Sequence, residues 1–225
     1  MVYIFIYICI KQNEIMKRIG TFLMASVALL AVSCTSTEEV KEEVVIEDTM
    51  YTLDSEASTL NWAANMGPDY GHNGTISITE GTMTMNGDEL VSGSFTIDMN
   101  SIKNVDLVEA GEEGKAGALE GHLKGTMVDE KHPADLFFNA PVFPTTKVTL
   151  GEYKDGKLGL TVSVLGKEIS QEVPVTIKND EDGASLNGAF ALDFTSVGVP
   201  GLQPNEDGSQ INPKIDFKLN VVMTK

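Results

Sequence analysis

Residues 91–102 read VSGSFTIDMNSI. Val91, Phe95, Ile97 and Met99 share one side of an extended chain, and Ser92, Ser94, Thr96 and Asp98 share the other. Strict alternation with β-branched and aromatic residues on the apolar side marks a strand that buries one face and wets the other.

The same period runs outward in both directions. Upstream lie Leu60, Trp62, Ala64 and Met66, then Ile76 and Ile78, then Met83 and Met85. Downstream come Val148 and Leu150, and then Leu158, Leu160, Val162 and Val164. Val173, Val175 and Ile177 follow, and after them Leu186, Phe190, Leu192 and Phe194. Ile215, Phe217, Leu219, Val221 and Met223 close the chain. Glu80-Gly81, Asn86-Gly87, Asp155-Gly156, Leu165-Gly166 and Asp182-Gly183 supply turn chemistry between the runs. This pattern predicts an all-β, antiparallel meander over residues 50–225, wet on one side. Eight or more such strands close into a barrel or pack as a sandwich.

Residues 119–143, LEGHLKGTMVDEKHPADLFFNAPVF, break the pattern. Leu119 and Leu123 stand four apart among helix formers, which predicts one short helix over 116–123, preceded by a glycine-weakened loop. That helix is expected to shape one barrel end, with Leu119 and Leu123 turned toward the interior. Asp129, Glu130, His132 and Asp135 admit two readings: a site for a hard cation, or charges that solvate a turn over 129–133. His122 and His132 are ten apart, not the i, i+4 pair of helical zinc sites, so no metal ligand set is expected. Phe137 and Phe138 are expected to begin the next strand, with only one of them facing inward. His72, beside Asn73-Gly74, is placed in a flexible hairpin.

Composition excludes several function classes. The formal charge of −17 repels nucleic-acid phosphates, so no nucleic-acid partner is expected. Arg18 is the only arginine, which removes the usual bidentate phosphate clamp. Cys9 and Cys34 both precede the strand region, leaving neither a disulfide framework nor a cysteine nucleophile there. No G-x-S-x-G elbow, P-loop or dinucleotide fingerprint occurs, and Ser92-Gly93-Ser94 lies inside a strand. The expectation is no enzyme and no catalytic residue.

The N-terminus reads as an address. Lys17 and Arg18 precede an apolar run that ends at Ser33-Cys34, the layout of a secretory signal over residues 1–33 with Met16 as the true start. Cys34 after a small residue resembles the lipidation site of bacterial lipoproteins. The alternative is a plain signal peptide that contains a cysteine. Residues 34–49 carry many acids and no apolar period, as a solvated linker does. The expected location is the cell envelope, anchored by lipid on Cys34 to the outer membrane, on its periplasmic face or at the cell surface.

The order of blocks adds a resemblance. Tyr51-Thr-Leu-Asp54 leads to Ser58-Thr-Leu-Asn-Trp62, then to Gly93-Ser-Phe95-Thr-Ile-Asp98 and to His122-Leu123-Lys124. Pro133, Phe137-Phe138 and Leu160-Thr-Val-Ser-Val-Leu-Gly166-Lys167 complete the series. It resembles the YceI-like family of polyisoprenoid-binding proteins across 51–225. The resemblance implies a lipocalin-like antiparallel barrel with a short helix, an apolar tunnel, and non-catalytic binding of a long isoprenoid or similar amphiphile. The chain departs from the family pattern at Ala57, at Leu119-Glu120-Gly121, at 126–129 and at Asp193. Those departures remove His and Arg side chains expected to touch a head group, and bear on selectivity more than on fold.

The interior is expected to involve Trp62, Phe95, Ile97, Leu119, Leu123, Leu160, Val162, Phe190, Leu192, Phe194 and Phe217. Two functional readings stand. In one, the tunnel holds a polyisoprenoid, an isoprenoid quinone or a fatty-acid-like lipid and requires no cofactor. In the other, the ten methionines and the phenylalanines fill the barrel, and the protein is a structural or interaction lipoprotein. A forty-carbon chain at about 0.3 kcal/mol per heavy atom would gain roughly 12 kcal/mol, near-nanomolar affinity.

Overall fold

A computed structural model describes residues 47–67 and 70–225. The expected signal segment and Cys34 lie outside the described residues, as does most of the acidic linker. The first strand begins at Asp48, inside the last residues assigned to that linker.

Eight strands hydrogen-bond to their neighbours in chain order, and the last pairs back to the first to close a barrel. They are β1 (Asp48–Asn65), β2 (Gly71–Asn86), β3 (Glu89–Asn104), β4 (Thr145–Lys154), β5 (Lys157–Val164), β6 (Lys167–Asn179), β7 (Ala184–Asp193) and β8 (Lys214–Thr224). Every pairing is antiparallel. Alternation decides the arrangement: β5 buries Leu158, Leu160, Val162 and Val164 and leaves the residues between them at least partly exposed. Apolar side chains point in and polar ones out, the inverse of a transmembrane barrel, whose outer face is the apolar one.

β2 runs unbroken through Glu80-Gly81, which is therefore not a turn. Between Ile78 and Glu80 the register with β3 slips by one residue, a bulge at Thr79. The bulge moves the buried set from Ile76 and Ile78 to Met83 and Met85, which is why the sequence looks interrupted there. Gly81 is required because the Phe95 ring of β3 occupies the space a side chain would take. A second bulge places Val91 outside: Met85 pairs with Leu90 while Thr84 pairs with Ser92, and Val91 is 51% exposed. Val91 was expected on the inner face, and the bulge is the physical reason it is not. In β1 the register with β8 shifts between Asp54 and Thr59. Asp54 Oδ1 accepts the N–H groups of Glu56 and Ala57, and Ser58 Oγ accepts the Val222 N–H at 2.9 Å, which secures that bulge.

Two helices follow β3: α1 (Asp106–Glu109) and α2 (Glu113–Lys124). α2 starts three residues before the expected helix, and α1 was not expected. Gly125 ends α2 at φ 72°; its N–H and that of Thr126 bond the His122 and Gly121 carbonyls, a Schellman closure. His72 sits on β2 rather than in a flexible hairpin. Its Nδ1 lies 2.9 Å from Asp106 Oδ2, and its ring packs edge-on against Tyr70.

Candidate functional site

The barrel interior is unequal at its two ends. Where β2 turns into β3, Tyr51, Met83, Met85, Leu158, Val173 and Met223 are almost completely buried and plug the barrel. Toward the other end runs an apolar cavity of about 170 Å³. Apart from the Trp62 indole N–H, Thr146 supplies the only polar side chain of its lining, and its hydroxyl bonds the Met99 sulfur at 3.2 Å. Eight-stranded barrels can be filled by their own side chains or hold one small ligand, and this one has a filled end and an apolar cavity beyond it.

Trp62, Phe95 and Ile97 line the cavity from β1 and β3, and Leu160 and Val162 line it from β5. Leu192, Phe194 and Phe217 line it from β7, the loop after it, and β8. Leu123 is the contribution of α2. Two expected lining residues are corrected. Leu119 stays half-buried on α2 and does not reach the cavity, because the turn of helix that faces inward is the one carrying Leu123. Phe190 is half-buried beside a shallow groove with exposed Ala189, Asp216 and Lys218. The β6–β7 ladder ends at Gly188; beyond it the Gln171 side chain bridges to the Ala191 carbonyl (2.7 Å) and the Asp193 N–H (3.3 Å). Phe190 sits where the wall has splayed.

The mouth is built by segments whose role periodicity did not reveal. Phe137 and Phe138 both line the cavity, since they lie in a turn and not in a strand; β4 begins only at Thr145. Strand alternation therefore does not apply to them. The Phe138 and Ala140 N–H groups bond the Leu123 and Lys124 carbonyls, which straps this turn to the end of α2. Leu202 and Ile211, from the long β7–β8 connection, complete the mouth. Phe194 packs edge-on to Phe138 (6.2 Å, 70°) and tilted against Phe217 (6.4 Å, 36°).

A buried polar group docks α2 on the barrel. Glu120, 8% exposed, accepts the Asn104 N–H at 3.0 Å and Lys103 Nζ at 3.1 Å, with Lys124 Nζ at 3.6 Å. Burial works to raise the Glu120 pKa, but these hydrogen bonds and lysine charges outweigh it and hold the carboxyl below its ordinary value. Asn104 bonds the Asn73 carbonyl and Asp106, and accepts the Leu107 N–H of the first turn of α1. Burial likewise opposes the Asp106 charge, and hydrogen bonds from Asn73, His72 and Asn104 hold its pKa down. These groups fasten the mouth and point away from the cavity lining. Among the described residues, Trp62 Nε1 is the one buried side-chain polar atom without a partner.

Asp129 forms the expected turn: its carboxylate accepts the N–H groups of Lys131 and His132, each at 2.8 Å. The His132 ring and these N–H groups lower the Asp129 pKa to about 2. Sequence spacing pointed to no metal ligand set, yet folding stacks the His122 and His132 rings at 3.9 Å beside that carboxylate. A ten-residue separation carries no signal for such a contact, because the helix end and the turn fold back on each other.

The barrel fold has parallels among known proteins. No curated protein matches the chain. A solved polyisoprenoid binding domain from Saccharophagus degradans, implicated in plant cell wall breakdown, is 12% identical, with a TM-score of 0.53 over 77% of this chain and 97% of its own. Burkholderia cenocepacia BcnA is 17% identical, with a TM-score of 0.53 over 76% of this chain and 98% of its own. At such identities the likeness establishes the fold alone. The sequence match is more specific: residues 51–223, from the first buried tyrosine of β1 to the last buried methionine of β8, match the YceI-like domain, and the chain belongs to that family.

Proposed function

We propose that the protein binds a single apolar chain, non-catalytically, in the barrel channel, and so sequesters or carries a lipid at the cell envelope. The observation that carries this reading is the channel itself: apart from Thr146 it is lined by apolar and aromatic side chains, plugged at one end, and capped at the other by α2 and two loops. The Saccharophagus degradans relative is a polyisoprenoid binding domain, which favours an isoprenoid, an isoprenoid quinone or a fatty-acid-like chain here as well. The secretory layout before Cys34 supports anchoring through a lipid on that cysteine.

Size refines the ligand. An engineered apolar cavity of about 150 Å³ binds benzene. A channel of about 170 Å³ therefore takes only a short segment of a long chain as it stands. Near-nanomolar binding of forty carbons requires the interior to widen, and the mouth aromatics Phe138, Phe194 and Phe217 are the side chains whose rotation would widen it. The small volume also favours a second reading, in which the barrel is filled by its own side chains and serves as a structural or interaction module.

Native mass spectrometry of the full chain purified from its own host separates the two. One co-purifying lipid per chain supports binding. A chain recovered bare, whose mass does not change when incubated with isoprenoid or fatty-acid chains, supports the filled barrel.

A further inference from the structure

We propose that His122, Asp129 and His132 form a binding site for a divalent transition metal ion of the zinc class at the barrel mouth. The geometry rests on two elements. His122 lies in the last turn of α2, where the Gly125 N–H holds its carbonyl. Asp129 and His132 lie on the following turn, which the Asp129 N–H closes on the His132 carbonyl. One donor atom from each of the three side chains lies within 4.8 Å of the others. His132 Nδ1 is 2.9 and 3.0 Å from the two Asp129 oxygens.

The donor chemistry selects the ion. Two imidazoles and one carboxylate suit Zn²⁺, Cu²⁺ or Ni²⁺ and are poor ligands for Ca²⁺ or Mg²⁺, which take oxygen. Three protein donors leave a position for water. Tetrahedral zinc at about 2.0–2.1 Å needs its donors about 3.3 Å apart. The stacked rings must therefore splay so that each plane points at the ion. His132, half-exposed on its turn, can supply that movement by ring rotation, while Asp129 keeps its two backbone hydrogen bonds through Oδ1 and offers Oδ2 to the ion. Glu130 and Asp135 nearby are exposed, and the chain carries a net charge of −17, so a dication is attracted to this surface.

The position gives the site a consequence. Leu123, next to His122, and Phe137 and Phe138, beyond His132, line the channel. An ion bridging His122 to the 129–132 turn therefore cross-links the two segments that form this side of the mouth.

The test is calorimetric titration of the metal-stripped full chain with Zn²⁺ and, separately, Ca²⁺ at physiological salt. Wild type should take one Zn²⁺ per chain, and Ca²⁺ should not compete. His122→Gln and His132→Gln should each weaken Zn²⁺ by at least about tenfold. His72→Gln, which alters the remaining histidine, should change nothing. X-ray absorption on the wild-type zinc adduct should show two imidazole nitrogens at about 2.0 Å, a readout that needs no variant. Zinc affinity that is unchanged in the His122→Gln/His132→Gln double variant overturns the proposal. So does a first shell without two imidazoles, or binding that follows His72.

Discussion

Phe194→Ala probes the mouth and the channel together. Phe194 is 4% exposed, packs against Phe138 and Phe217, and lines the cavity. A buried phenylalanine removes about 150–250 Å² from water, worth about 4–6 kcal/mol at 25 cal/mol per Å². The alanine Cβ is retained, and one part of the ring already faces empty space, so fewer contacts are lost than in a solid core. The expected cost is about 3 kcal/mol, the low end for Phe→Ala. Urea unfolding followed by circular dichroism and by the fluorescence of Trp62, the single tryptophan, measures it. The substitution also adds a phenyl ring's worth of room beside the cavity. A saturating apolar chain should then restore part of the lost stability by mass action, and should do so more in the variant than in wild type. A cost below about 1 kcal/mol would refute the packing described for this ring. A full cost with no gain in uptake would point to a barrel filled by its own side chains.

Three other outcomes follow from the mouth. Glu120→Ala leaves the buried Asn104 N–H without an acceptor and should cost about 1–3 kcal/mol, with amide exchange rising first in α2 and at the end of β3. Unchanged exchange there would show that Glu120 does not hold the helix. Glu120 and Asp106 both have folded pKa values below their ordinary ones, so their stabilisation is complete above about pH 5 and is lost as pH falls through the folded values. Exchange in α1 and α2 should therefore accelerate below about pH 4 before that of the strands, and uniform acceleration would contradict the assignment. Trp62→Phe removes a buried N–H that has no partner, so its cost should be that of the lost ring volume alone, about 1.5 kcal/mol; a loss of about 3 kcal/mol or more would contradict this reading of the indole.

The strands were readable because a two-residue period leaves a direct trace in sequence. β5 and β8 match their alternation residue by residue. Bulges broke the reading where one extra residue flips the pattern: Thr79 disguised one long strand as two, and Val91 looked internal because nothing local marks it as the bulged residue. The lining residues on strands were legible for the same reason, with Phe190 lost to a splay that depends on Gln171, nineteen positions earlier. The mouth was not legible. Phe137, Phe138, Leu202 and Ile211 reach the cavity from turns and loops, where direction is set by tertiary hydrogen bonds such as Phe138 N–H to Leu123 and Gly201 N–H to Leu136. α2 is longer than its composition suggested because Glu120 and the Gly125 cap compensate for its internal glycines.

The most direct test of lipid binding is to purify the full chain from its own host and weigh it intact under native conditions. The result expected is one bound apolar lipid per chain, released on unfolding and lost from a Val162→Trp variant in which the channel is blocked. Wild-type protein that is consistently bare, and that takes up no isoprenoid or fatty-acid chain when these are supplied, would contradict the account.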